Sequence, residues 1–248
     1  MRIAPPFGYE EIVPFLKTQK VRLPKPGQVP EFAQRANAIP ISYGEFQRVA
    51  REYPIVFTAV EGGKNFAAVA VLGTQAGENV FCNEGAWAGN VYVPAYARRH
   101  PFCMARVSAD NVERKERLIC VEKAFIDEAH GEALFDAQGN ASANWTALER
   151  MLSEYEADLE RSREMCTLLA DYGLLEAFTV QATRAKDSAG AMHLSGMHRV
   201  SEKALAELNA AQLKNLMRKG VLARIYVHLL SLENFARLLE RKAARRGS

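Results

Sequence analysis

No run of about 20 apolar residues occurs in this 248-residue chain, so no helix is expected to cross a bilayer. The opening Met1-Arg2-Ile3-Ala4-Pro5-Pro6-Phe7 has no uninterrupted apolar stretch of the kind a secretion signal needs, and a soluble, cytoplasmic protein is the expectation. Charge of one sign is scarce too. The 32 Lys and Arg against 29 Asp and Glu leave a net +3, too little to draw the whole molecule to nucleic acid or anionic lipid. Any basic surface must be local, and no nucleic-acid partner and no membrane span are expected.

Signatures of cofactor chemistry are missing as well. Cys82, Cys103, Cys120 and Cys166 are widely spaced with no C-x-x-C, which argues against a zinc site or a redox pair and for reduced, buried thiols. His193 and His198 lack a third metal ligand nearby. Gly62-Gly63 and Gly77 form neither a P-loop nor a dinucleotide fingerprint, and His193-Leu194-Ser195-Gly196-Met197 lacks the first glycine of a nucleophile elbow. No metal, no cofactor and no catalytic residue is therefore assigned.

What is present is ordinary globular material, 48% hydrophobic and 25% charged, and the absence of repeats or a Ser/Gly/Pro-rich linker points to one domain over residues 1–248. Six of the ten prolines, at positions 5, 6, 14, 24, 26 and 30, fall in the first 30 residues, and the first 40 read as an N-terminal arm packed on that domain. Ser42, with Glu45 three residues on, marks the start of a short helix that buries Phe46, Val49 and Ala50. Pro54 to Val60 and Phe66 to Leu72 flank a Gly-containing turn, the pattern of a central β-hairpin. Further strand candidates are Tyr92 to Tyr96, Phe102 to Val107, Arg117 to Val121, Leu174 to Thr183 and Met192 to Val200.

Leu148, Leu152, Tyr155, Leu159, Cys166 and Leu169, interrupted by Ser162, give one long amphipathic helix from Trp145 to Tyr172, with Asn144 as cap and Gly173 as stop. Caps at Ser201 and at Asn209-x-x-Gln212, a stop at Gly220 and an apolar stripe from Leu222 to Arg241 make 201–248 helical. The basic Arg237, Arg241, Lys242, Arg245 and Arg246 read as a solvated helix end. The fold class is α+β: a single domain, mostly antiparallel or mixed sheet, with a long amphipathic helix and a helical C-terminus.

The densest chemistry lies between positions 77 and 102. It comprises a Gly77-x-Asn79-x-Phe81 stretch, Trp87 after a short acidic turn, and Tyr92-Val93-Pro94-Ala95-Tyr96-Ala97-Arg98-Arg99-His100-Pro101-Phe102. With these motifs the chain resembles the bacterial SapC family. The likeness extends from Ile39-Pro40-Ile41 through Tyr53-Pro54-Ile55-Val56-Phe57, Gly131-x-x-Leu134-Phe135 and Leu194-Ser195-Gly196 to Ile225-Tyr226-Val227-His228-Leu229-Leu230-Ser231-Leu232. The resemblance implies a shared fold. The family takes its name from a surface-layer-associated protein, so a surface-layer or assembly role is one reading.

On a strand, neighbouring side chains point to opposite faces, so Arg98 and Arg99 cannot both face solvent. One is expected to fork onto Glu78 or Glu84. The other is then free as an anion receptor beside an apolar wall of Trp87, Tyr92 and Tyr96, with Asn79 and Asn83 for amide contacts and His100 alongside. The leading expectation is a non-catalytic binding module for a small acidic ligand, a peptide or a partner protein. An alternative is an enzyme, or an accessory subunit of a modifying enzyme, in which His100 and Glu84 share a cleft as acid and base. In the assembly reading, the 145–172 helix is the contact surface of a homo-oligomer.

Overall fold

A computed structural model describes residues 4–25, 27–60, 65–109, 112–184 and 187–246, with side chains left out at 106–116, 181–193 and 246. The N-terminal part runs β1 (Ile12–Pro14), β2 (Lys20–Val21), α1 (Glu31–Gln34), β3 (Ala38–Pro40), α2 (Phe46–Val49), β4 (Ile55–Val60) and β5 (Asn65–Val71). The middle runs β6 (Cys82–Asn83), β7 (Ala86–Trp87), α3 (Ala95–Arg98), β8 (Phe102–Ala109), β9 (Val112–Glu122) and β10 (Glu132–Ala133). Last come α4 (Ala143–Asp171), β11 (Leu175–Arg184), β12 (Asp187–Val200), α5 (Glu202–Ala206), α6 (Ala210–Arg218), α7 (Val221–Ser231) and α8 (Asn234–Arg246). The fold is α+β.

The larger sheet is antiparallel, in the order β11-β12-β4-β5-β3. The expected hairpin supplies its β4 and β5, with Ile55 opposite Ala70 and Val60 opposite Asn65. Its turn, 61–64, lies outside the described residues, as does the side chain of His193. The late strands find their early partner where Met197 and His198 face Thr58 and Phe57. A second sheet, β1-β9-β8, and the ribbons β2/β10 and β6/β7 complete the strands.

The proline-rich arm is woven in, because β1, β2 and β3 each join a different sheet. Pro14 and Pro40 sit on the edge strands β1 and β3, where a residue without an N–H costs the ladder least.

Helix α4, 29 residues and about 43 Å long at 1.5 Å per residue, spans two of the three hydrophobic clusters. Trp145 and Leu152 pack with Phe102, Val121 and Leu134, whereas Tyr155, Met165, Cys166 and Leu169 join the larger core with Phe46, Ile55 and Val69. Its cap is Ser142, whose hydroxyl accepts from the Trp145 N–H, rather than Asn144. Ser162 breaks the stripe for a reason: it accepts the Tyr43 N–H at 2.8 Å and donates to the Asp158 carbonyl at 2.8 Å. That docks the 3₁₀ turn Tyr43–Glu45 onto α4 so closely that a Cβ on Gly44 would lie 2.2 Å from the Asp158 carboxylate.

Three further expectations need correction. Tyr92 to Tyr96 is no strand: Pro94 caps α3, and Arg98 and Arg99 stand on its last turn and C-cap. The stripe from Leu222 to Arg241 divides into α7 and α8 around Leu232. The basic end of α8 is no solvated tail, since Lys242 bridges Glu78 at 3.1 Å, Arg245 donates to the Asn79 carbonyl at 2.6 Å and Arg241 lies over the Phe81 ring. These contacts clamp α8 over the Thr74–Phe81 loop.

Candidate functional site

The local geometry of α3 decides the fate of the arginine pair. Successive helical side chains diverge by about 100°, so neighbours can face water and core. Arg98 is exposed. Its Nε donates to the Val93 carbonyl at 3.0 Å, its guanidinium donates to the Tyr92 hydroxyl at 3.0 Å, and it lies over the Tyr92 ring. Arg99 is only 3% exposed and is boxed by Tyr96, Tyr155 and Tyr9, with ring centroids 4.1, 5.0 and 5.6 Å from its guanidinium carbon.

The counter-charge of Arg99 is Glu156 of α4 at 3.9 Å. The expected fork onto Glu78 or Glu84 does not form. Glu78 holds Thr74 and Lys242 instead: burial pushes its carboxyl up, but the Thr74 amide, the Thr74 hydroxyl and Lys242 together hold it below the usual value. Glu84 is exposed, at φ 48° in the turn between β6 and β7.

Of the expected aromatic wall, Tyr92 lines a cavity of about 370 Å³ with Arg98, whereas Trp87 and Tyr96 are buried in the core. Trp87 is buried and its Nε1 donates to the Tyr53 hydroxyl at 2.9 Å. Tyr53 donates to the Tyr92 carbonyl at 2.7 Å, and the Tyr92 hydroxyl donates to Glu45 at 2.9 Å. Tyr96 is buried and donates to the Phe7 carbonyl at 2.7 Å. Asn79 holds its own turn, accepting the Phe81 N–H and donating to the Ala33 carbonyl.

Glu45, read from sequence only as a capping residue, is the hub of this region. Its buried carboxylate accepts from the Ser42 N–H and hydroxyl, the Tyr92 hydroxyl and the Ala95 N–H. A buried charge with four donors is a stable arrangement. It fixes α3, and through α3 the position of His100.

His100 is 6% exposed, packed among the rings of Phe125, Tyr9 and Phe32 at 4.7, 5.1 and 5.7 Å. The carboxylate on its Nε2 is Glu122, at the end of β9, and not Glu84. Glu122 also accepts the Glu10 N–H at 3.0 Å. Burial pushes the His100 imidazole below its ordinary value, and the nearby Arg99 adds to that, outweighing the Glu122 hydrogen bond and charge. The ring is neutral at pH 7. Its Nδ1 is buried with no hydrogen-bond partner.

His100 and Phe125 line a cavity of about 610 Å³ whose remaining wall is the 22–35 segment: Arg22, Leu23, Pro24, Lys25, Gln28, Val29, Pro30, Glu31, Gln34 and Arg35. The β6/β7 ribbon props this wall from behind, with the Val29 N–H on the Gly85 carbonyl at 3.0 Å and Gln28 bridged to Ala86. Three cations face one acid, Glu31, which reaches Arg35 at 3.7 Å on the exposed rim. Arg22 lies over the Phe125 ring and donates to the Ala124 carbonyl. Sequence reasoning missed this rim, because its charges are dispersed among the prolines of the arm.

The family model for SapC matches residues 19–238. This chain belongs to the SapC family. No curated protein and no solved structure matches it, so family membership places the SapC fold around this site without naming a ligand. The SapC model takes in both the 22–35 wall and His100.

Among the described residues, no three His, Cys, Asp or Glu side chains gather as a metal site, and no helix is long and apolar enough to cross a membrane. All four thiols are free and buried. Burial pushes those of Cys82, Cys103 and Cys166 up to about 12, which makes them poor nucleophiles at neutral pH.

Proposed function

We propose that this SapC chain is a binding module for a small acidic ligand, and that the ligand occupies the cavity between the 22–35 segment and His100. The observation that carries the reading is the composition of that cavity. Arg22, Lys25 and Arg35 set a positive rim above an apolar body of Leu23, Pro24, Val29, Pro30 and Phe125. Pockets for small ligands are built in this way, with a few polar groups fixing orientation on an apolar lining. Of the arginine pair expected to supply the receptor, Arg99 is engaged inside the protein, and Arg98, over Tyr92, lines a separate cavity of about 370 Å³. The apolar side of α4 faces two of the chain's own cores, which favours ligand binding over assembly through that helix.

Calorimetry of the full chain with phenylacetate tests the reading. Saturable binding is expected, weakened about tenfold or more in the triple variant Arg22→Ala, Lys25→Ala, Arg35→Ala, a loss of about 1.4 kcal/mol or more. These side chains are exposed, so the thermal midpoint should stay within a few degrees of the parent's. Binding that the triple variant leaves unchanged contradicts the proposal, as does the absence of binding in the parent.

A further inference from the structure

The two nitrogens of His100 have different fates. Nε2 is taken by Glu122, while Nδ1 is buried and has no partner. Buried polar atoms in folded proteins are nearly always hydrogen-bonded; Arg99 Nε, the Tyr155 hydroxyl, His198 Nδ1 and Arg224 Nε are also without a partner, but of these five atoms only His100 Nδ1 belongs to a residue that lines the cavity with the cationic rim. Among the described residues, no protein group supplies the missing bond, and the flanking rings of Tyr9, Phe32 and Phe125 offer only aromatic faces and edges.

The chemistry of the missing partner follows from the proton on the ring. Held neutral, the imidazole carries one proton, and the carboxylate at Nε2 draws it there as a hydrogen-bond acceptor. Nδ1 is then a lone-pair acceptor. Its natural complement is an O–H or N–H, and a carbonyl or ether oxygen in the same place would set two lone pairs against each other.

We infer that the ligand of this cavity bears two features: an acidic group for the Arg22, Lys25 and Arg35 rim, and a hydroxyl or amino group that donates to His100 Nδ1. The inference rests on the reading of the cavity as an acidic-ligand site and narrows it to hydroxy- or amino-substituted acids. The 610 Å³ volume and the Phe125 ring suit an aromatic or similarly bulky body between the two groups. In this arrangement His100 is a specificity residue, and Glu122 is a positioning residue that sets its tautomer.

The test is calorimetric titration of the full chain with three matched sets of probes at pH 7. Each set holds a 4-hydroxy acid, its unsubstituted parent and its 4-methoxy analogue, built on benzoate, phenylacetate and 3-phenylpropionate so that the span between the groups is sampled. In at least one set the hydroxy acid should bind about tenfold or more tightly than both of its analogues, because an unmet hydrogen-bonding atom discriminates strongly between such pairs. His100→Phe, which keeps a ring in place, should bring that ratio to near one while retaining the response to the cationic rim.

Equal affinities within every set overturn the donor requirement but leave the acidic-ligand cavity standing. Tighter binding of the methoxy analogue overturns the assignment of Nδ1 as acceptor. If no probe binds, the cavity reading itself falls, and this inference with it. A ratio that survives in His100→Phe assigns the discrimination to another residue and contradicts the role given to His100. Circular dichroism and the melting transition of His100→Phe identify a folding failure, and in that event the probe ratios of the parent protein alone decide.

Discussion

His100 and His228 are both buried, and burial holds both neutral, yet their surroundings differ in one respect. His228 lies on α7 with no exposed surface, donating from Nδ1 to the Ile55 carbonyl at 2.8 Å and accepting the Val200 N–H on Nε2 at 3.1 Å. Both nitrogens are used, and the ring ties α7 to β4 and to the end of β12. His100 has one nitrogen used and one buried without a partner, on a residue that lines a cavity. The first pattern is that of a structural bracket. The second leaves hydrogen-bonding capacity for something outside the chain, and the two histidines can be separated by measurement.

The largest effect should come from His228→Leu. It removes two buried hydrogen bonds and strands the Ile55 carbonyl and the Val200 N–H, so chemical denaturation should show a loss of about 3–4 kcal/mol. Calorimetry should find a midpoint lower by roughly 10 °C. A change no larger than that of His100→Phe, for which about 1–2 kcal/mol is expected from the loss of the Glu122 contact, would erase the distinction.

Next in size is the pH dependence of stability. Burial pushes the His228 imidazole down from 6.5 to about 4. Between those values the unfolded chain binds a proton that the folded chain refuses. Stability from this group is therefore whole above pH 6.5 and declines as pH falls toward 4, by roughly 3 kcal/mol in total. His100, lowered in the same direction, adds to the slope. Denaturation curves at pH 7, 6, 5 and 4 should show the decline, and it should be shallower in His228→Leu.

Arg99→Met and Arg98→Met apply the same contrast to the paired arginines. Arg99 is enclosed by three phenol rings with Glu156 beside it, so its replacement should cost about 2–3 kcal/mol. Replacing exposed Arg98 should cost less than about 1 kcal/mol. Equal losses would mean that the burial difference carries no energetic weight.

Local pattern made much of the fold readable. Two apolar runs about a Gly-containing turn exposed the β4/β5 hairpin, and three-and-four spacing exposed α4 to within two residues at its start. The capping signals at Ser42/Glu45, Ser201 and Asn209/Gln212 each coincide with an element start, because a cap acts over three residues. The 92–96 stretch misled because two tyrosines and a valine mimic a strand, whereas Pro94 in fact fixes the first turn of α3.

The candidate site was legible only in part. The 77–102 segment does contain His100, but the partners that give it meaning are remote in sequence. Glu122 lies 22 residues on, and the cationic wall begins 78 residues back. Glu84 was the nearer acid along the chain. Pairing across β8 and β9, which sets Phe102 opposite Val121, is what brings Glu122 to the ring instead. Register of this kind is a property of the assembled sheet, and no window of local sequence carries it.

The most direct measurement follows the imidazole nitrogens of His100 and His228 by ¹⁵N NMR during titration with 4-hydroxyphenylacetate. The account predicts that the His100 Nδ1 resonance moves saturably as its lone pair gains a donor, while both His228 resonances stay where they were. A His100 signal that ignores the ligand, or two histidines that respond alike, would contradict it.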